Sequence, residues 1–214
     1  MIMQTNKLCA LTFDDGPDAV MTPRVLDKLE KYQIPATFFM IGNLINEVTK
    51  PVIDRIVSMR CEIANHSWST DGMAEMTRAE IEKSIADTGA VIRKYSGRVP
   101  VFFRPPNLSV SDTLYASIDL PFASGVVGWD WPSCNTSAED RAHNVLKDMK
   151  DGAIILLHDN QSDPHPTPEA LDIIVPELKK QGYEFVTLSE LFIRKGVKPN
   201  SRKGTMWVCV GQPV

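Results

Sequence analysis

Five short polar clusters hold most of the residues in this 214-residue chain whose types and spacing suit hydrolytic chemistry. The first is Thr12-Phe13-Asp14-Asp15-Gly16-Pro17-Asp18. Asp-Gly-Pro is good turn chemistry, and an acid there can do no more than cap the next helix. Two adjacent carboxylates can also divide labour, one holding a metal ion while the other takes a proton from water. The second cluster is Asn65-His66-Ser67-Trp68-Ser69-Thr70-Asp71. A single histidine in such a place reads as a hydrogen-bonded structural residue unless carboxylates from another strand end converge on it. In the third, Phe103-Arg104-Pro105-Pro106-Asn107, successive prolines make a rigid turn that can aim one arginine at a carboxylate; alone, it is a solvated loop. The fourth, Gly128-Trp129-Asp130-Trp131-Pro132, sets two indoles around an acid, which suits a sugar-binding wall or ordinary core packing. In the fifth, Ile154-Ile155-Leu156-Leu157-His158-Asp159, an apolar run ends abruptly in a histidine and an acid. Each cluster alone has a structural explanation. Together they point to a metal-assisted hydrolase site.

Each cluster follows an apolar run of strand length, and the chain offers seven such runs: 7–13, 36–41, 61–64, 100–103, 122–128, 153–157 and 183–187. Helical periodicities lie between them. Thr22-Pro23 reads as an N-cap before a first-turn proline, and Thr77-x-x-Glu80 as a capping box. The helix that Thr77 opens carries Ile81, Ile85, Thr88 and Ile92 on one face and ends at Ser96-Gly97. Ser137 opens another helix, and Thr167-Pro168 a further one that Gly182 closes. Strands alternating with helices predict a parallel α/β architecture, wound as a barrel or an open sheet, with its active site at the C-terminal ends of the strands. After Phe192 the composition turns to Gly, Pro, Asn, Ser and Lys. The boundaries predicted are a catalytic domain over 7–194 and a C-terminal extension over 195–214 with one short strand, 207–210.

Composition narrows the partners. The chain is 43% hydrophobic and 23% charged with a formal net charge of −4, and no clustered basic face offers itself to a phosphate backbone, so no nucleic-acid partner is expected. No apolar run approaches a membrane span. The first seven residues lack a basic stretch, an apolar h-region and a cleavage site, so no signal peptide is expected in this chain. Cys9, Cys61, Cys134 and Cys209 form no C-x-x-C pair, which excludes a zinc ribbon; they read as free thiols, with one disulfide as the alternative.

The five clusters, in this order, resemble the NodB-homology polysaccharide deacetylases, carbohydrate esterase family 4, over about residues 7–191. Thr-Phe-Asp-Asp-Gly-Pro and Leu-Leu-His-Asp carry most of the likeness. The resemblance implies a single distorted (β/α)7-type barrel and removal of acetyl groups from chitin, peptidoglycan or xylan with one divalent metal ion, whether zinc, cobalt, nickel or magnesium. It implies Asp14 as general base, Asp15 and His66 as metal ligands, Arg104 as the group that orients Asp14, and His158 as general acid tuned by Asp130. Leu156 and Trp131 would shape the pocket for the acetyl methyl, with Pro105 and Asn107 as further substrate-binding residues. Two positions depart from the pattern. Thr70 stands where a second histidine is usual, which leaves two protein ligands and a weaker, more exchangeable metal, with the threonine hydroxyl a poor third ligand. Asn107 stands where a tyrosine is usual, but the backbone N–H that serves the oxyanion is kept. Both departures, with Arg104-Pro105-Pro106-Asn107-Leu108 and the stretch from Pro164 to Leu171, resemble the acetylxylan-esterase branch of multidomain xylan-degrading enzymes. That likeness implies acetylated xylan or a xylo-oligosaccharide as substrate, other modules of a larger enzyme as partners, an extracellular place of work and a monomer. The rivals are an N-deacetylase of chitin or peptidoglycan and a decayed, purely carbohydrate-binding domain.

Overall fold

A computed structural model describes residues 7–131, 134–160, 165–201 and 204–211; residues 1–6, Pro132 and Pro164 lie outside them. Strand β1 (Lys7–Asp14) is the centre of the fold. Cys9, Leu11 and Phe13 pack into the layer of surrounding helices, while Leu8 and Ala10 point to the opposite cluster with Phe39, Ala64, Phe102, Ala123, Ile154 and Val186. Burial on both faces is why the strand reads as a nearly unbroken apolar run. Along one edge β1 pairs in parallel with β6 (Ala153–His158). Its other edge is shared between β7 (Tyr183–Val186), which pairs with the first half, and β2 (Thr37–Met40), which pairs at Thr12 and Phe13. Strand β3 (Glu62–Asn65) extends the sheet beyond β2, and β5 (Val126–Val127) extends it beyond β6.

The sheet is parallel, and among the described residues no continuous ladder closes it into a ring. The strand expected over 100–103 is reduced to Phe103, which forms single-residue bridges to Asn65 and to Phe122. Pro100, Pro105 and Pro106 lack ladder donors, which limits pairing there. The run expected over 122–128 is split into β4 (Phe122–Ala123) and β5. Its interruption has a cause: the carbonyls of Ala123 and Ser124 turn to the Arg104 guanidinium, at 3.1 and 2.7 Å.

Helices α1 (Met21–Tyr32), α2 (Lys50–Ser58), α3 (Arg78–Ser96), α4 (Asp112–Ser117), α5 (Ala138–Leu146), α6 (Thr167–Lys180) and α7 (Leu188–Arg194) connect the strands. Helix α3 starts on the Thr77–Glu80 capping box and ends at Gly97 with φ 69°, and α5 starts on a second box formed by Ser137 and Asp140. Two expected caps differ. Thr22 lies inside α1, whose first N–H groups are met by Asp18, and Thr167 is the first residue of α6, preceded by Pro166 at the cap. Both hydroxyls are bonded to buried carboxylates instead, Thr22 to Asp159 and Thr167 to Asp130.

The tail continues the core. Strand β8 (Met206–Trp207), one residue earlier than expected, pairs with β4, and Cys209 bridges Ala153 antiparallel. Val210 is fully buried and donates its N–H to Gly152, whose φ is 89°. A Cβ at Gly152 would stand 1.9 Å from the Val210 carbonyl oxygen, so this crossing requires glycine. All four cysteines are free thiols. Among the described residues no helix is long and apolar enough to cross a membrane.

Candidate active site

The register of β1 with β6 sets Asp14 directly opposite His158 at the C-terminal ends of the two strands. Between them opens a cavity of about 450 Å³ lined by Asp14, Asp15, His66, Thr70, Pro106, Asn107, Leu108, Val127, Trp131, Leu156 and His158. Of the ten residues expected to form the site, seven line this cavity. Arg104 and Asp130 are fully buried and act on it through Asp14 and His158. Pro105 is the exception. It is buried, its carbonyl accepts the Leu108 N–H, and Pro106 takes the lining position because the turn points the second proline inward.

Arg104 donates from Nη1 to Asp14 Oδ1 at 2.5 Å and to Thr12 Oγ1 at 2.9 Å, and its Nε and Nη2 hold the Ala123 and Ser124 carbonyls. Its guanidinium lies 4.0 Å from the centre of the Phe39 ring. Burial lowers the guanidinium from its ordinary value, and Asp14 opposes that shift. A buried charge is tolerable only when its donors are used, and here each nitrogen has an acceptor. Arg104→Lys keeps the charge but cannot serve four acceptors from one ammonium. Loss of at least one buried carbonyl partner is expected to cost about 2–3 kcal/mol, read as a lower midpoint in urea unfolding at unchanged slope.

His66 places Nδ1 2.7 Å from the Arg104 carbonyl oxygen, so that nitrogen donates and Nε2 is the one turned to the carboxylates. Nε2 faces Asp15 Oδ1 at 3.4 Å and Asp14 Oδ2 at 3.7 Å. Three electron-rich atoms around one point need a cation or a proton between them, and a carbonyl-braced histidine beside a carboxylate is a common metal-ligand arrangement. Burial alone would raise the Asp15 carboxyl, but His66 and then His158 outweigh it and hold it below its ordinary value. Among the described residues no group of three or more His, Cys, Asp or Glu is set to hold a metal.

The turn that carries Asp14 and Asp15 is pinned at three consecutive carbonyls. Asp159 N–H reaches Asp14 O, the Asn160 amide reaches Asp15 O at 2.8 Å, and Ile41 N–H reaches Gly16 O. A Cβ on Gly16 would come within 2.5 Å of an Asp159 carboxyl oxygen. Asp159 is fully buried, one of its oxygens finds no hydrogen-bond partner among the described residues, and burial pushes its carboxyl up to about 7.

Asp130 grips His158 twice, accepting the ring Nδ1 proton at 2.7 Å and the backbone N–H at 2.8 Å. Thr167 donates to the same carboxylate at 2.7 Å and accepts from Arg141, which also bonds His165 Nδ1 at 3.1 Å. Burial would lower His158, yet the Asp130 charge outweighs it and pushes the imidazole up to about 9. At neutral pH His158 is therefore an imidazolium, with Nε2 as the nitrogen left for the cavity. Arg141, His165 and Thr167 are members of this support that sequence reasoning missed as a group. His165 and Thr167 stood in a motif already singled out, but nothing local links them to Asp130.

A carboxylate held by a buried arginine, an imidazolium held by a buried aspartate and a cation-ready pair between them, all at the strand ends of a parallel sheet, describe a hydrolase of the α/β class. A family profile described as polysaccharide deacetylase matches residues 3–123, and the chain belongs to that family. A bifunctional xylanase/deacetylase from Pseudobutyrivibrio xylanivorans is 49% identical over 92% of this chain, which spans 32% of that relative's length. A peptidoglycan-N-acetylglucosamine deacetylase from Bacillus cereus is 36% identical over 89% of this chain and 90% of its own. The structure of a family 4 acetyl xylan esterase from Clostridium thermocellum, in complex with a cobalt ion, superposes with a TM-score of 0.92 at 56% identity, covering 95% of this chain and 99% of that one.

Proposed function

We propose that the protein is an acetylxylan esterase, hydrolysing O-acetyl esters on a xylan backbone. The observation that carries this reading is the opposition of Asp14 and His158 across one cavity, the first held by Arg104 and the second kept protonated by Asp130. A hydrolysis needs a proton acceptor on the water side and a donor on the leaving-group side. Higher identity to the xylan-linked relatives than to the peptidoglycan deacetylase supports the ester over the amide.

In this mechanism Asp14 takes the proton of the attacking water, its orientation fixed by Arg104. A divalent ion held by Asp15 and His66 would lower the pKa of that water and polarise the acetyl carbonyl. The Asn107 backbone N–H donates to the developing oxyanion, with Asn107 held at φ 57° at the rim of the cavity. His158 donates from Nε2 to the departing sugar oxygen. Leu156 and Trp131 shape the space for the acetyl methyl. An ester oxygen leaves the tetrahedral intermediate more readily than an unprotonated amide nitrogen, so a site with two protein ligands suits an ester. The parallel sheet and the Phe103 bridges support a distorted (β/α)7-type barrel as the frame. Polymeric xylan is met outside the cell, which supports an extracellular place of work, and the length of the Pseudobutyrivibrio relative supports work beside other modules.

The test is acetate release from acetylated xylan and from N-acetylglucosamine oligomers side by side, after chelation and after add-back of zinc, cobalt, nickel or magnesium. Expected are faster release from xylan, rapid loss on chelation and recovery on add-back. Equal rates on the amide overturn the ester assignment, and release indifferent to chelator overturns the metal. No release from either substrate returns the protein to a carbohydrate-binding role.

A further inference from the structure

Five non-glycine residues in the loops around the cavity hold left-handed backbone: Asp15, Ser67, Asn107, Leu108 and Trp129, with φ from 52° to 71°. All five carry or flank groups with a place in the site already described. Trp129 flanks Asp130, but its own indole has no part there; it is the bulkiest of the five, and a bulky residue adopts this conformation only when its surroundings enforce it. The Thr136 hydroxyl holds the Trp129 carbonyl at 2.6 Å, and Asp130, the next residue, is locked onto His158. The result is an indole presented to solvent, 50% exposed.

The exposed ring is not isolated. Its centre lies 5.2 Å from that of Trp131 with the planes 31° apart, and Trp131 in turn meets the His158 ring edge-on at 6.2 Å. From His158 outward the wall therefore runs imidazole, inner indole, outer indole. Trp131 lines the cavity and Trp129 does not. Contact with the tilted Trp131 ring restricts the outer indole, so little freedom is lost when a ligand lands on it.

Resting on the acetylxylan-esterase reading, we propose that Trp129 is a stacking platform for a xylosyl residue next to the acetylated one. His158 delivers its proton to the sugar oxygen, so the sugar bearing the acetyl group sits at the cavity mouth and the polymer must continue along its rim. A xylose ring carries no hydroxymethyl arm, which leaves its faces flat and rich in C–H, the surface that an indole face attracts. A charged or strongly polar partner would find no counter-group in the Trp129–Trp131 pair.

The experiment compares wild type, Trp129→Ala and Trp129→Phe on an acetylated methyl xyloside and on acetylated xylotetraose, and measures the affinity of unacetylated xylotetraose by calorimetry. Loss of one aromatic stack is expected to lower kcat/KM on the tetrasaccharide about tenfold relative to the single sugar in Trp129→Ala, mostly through KM, with most of the loss rescued by phenylalanine. Xylotetraose affinity falls by a similar factor. Equal losses on both substrates show that Trp129 only props Trp131, and no loss on either shows a bystander; both overturn the platform while leaving the esterase reading intact. If wild type releases no acetate from either xylo-substrate yet Trp129→Ala still weakens xylotetraose binding, the platform stands and the reaction assignment falls. If wild type neither hydrolyses nor binds these sugars, both fall.

Discussion

Asp14→Asn is expected to lower kcat on acetylated xylan by about 10³- to 10⁴-fold while leaving divalent-ion affinity within a few-fold of wild type. Asparagine has nearly the same shape, and its carbonyl oxygen can still accept from Arg104 Nη1, 2.5 Å from Oδ1 in the native site. The other oxygen, 3.7 Å from His66 Nε2, becomes an amide nitrogen that cannot take a proton. Arg104 keeps Thr12 and the Ala123 and Ser124 carbonyls, so the variant should fold, at some cost for a buried cation that has lost its counter-charge. Asp15 and His66 remain to hold the ion. Acetate release and calorimetric titration with cobalt separate the two effects. A kcat within tenfold of wild type would remove Asp14 from the role of base, and loss of cobalt binding in step with activity would make it a ligand instead.

What was legible in the sequence was what is local. The capping box at Thr77 completes itself within four residues and appears as read, and Ser137 opens its helix as read, with a second box that it forms with Asp140. Strands β1 and β6 declare themselves because both faces are buried and nearly every residue is apolar until the chain reaches the rim. Asp14, Asp15, His66 and His158 were found by the same logic, as polar residues that interrupt such a run. Three of the misreadings share one cause, a distant polar group that competes for a local hydrogen bond. Thr22 and Thr167 look like caps, but Asp159 and Asp130 claim their hydroxyls from across the fold. The run over 122–128 looks like one strand until Arg104 draws two of its carbonyls out of the ladder. Between Pro105 and Pro106, composition offers no choice at all; only the direction of the turn decides which proline faces the cavity.

The two carboxylates that claim those threonines are used in opposite ways. Asp130 meets a histidine and a threonine and is held below its ordinary value although burial acts to raise it, so it stays charged. Asp159 accepts from Thr22 and is pushed up to about 7 by burial, close to the negative turn that bears Asp14 and Asp15. The first supplies charge to the site and the second fills space beneath it.

Asp130→Asn tests that division through the pH profile. With His158 pushed up to about 9, the acid form persists through neutrality, and kcat is expected to fall only as pH rises through about 9. Asparagine keeps the shape but removes the charge that outweighs burial, so the alkaline limb should move down to or below the ordinary imidazole value near 6.5. At pH 8 most of the variant has lost its proton donor, and kcat should drop by about 10²-fold or more. Part of that loss is recoverable: lowering the pH toward 6 should narrow the gap to wild type, which a purely structural defect would not do. Stability carries the same sign. The folded imidazole titrates above its unfolded value, so the His158–Asp130 pair contributes fully below about pH 6.5 and loses its contribution as pH rises through about 9. The stability difference between wild type and Asp130→Asn should therefore be largest in mildly acidic urea melts and shrink toward pH 9. An alkaline limb that stays near 9 in the variant would show that something other than Asp130 keeps His158 protonated.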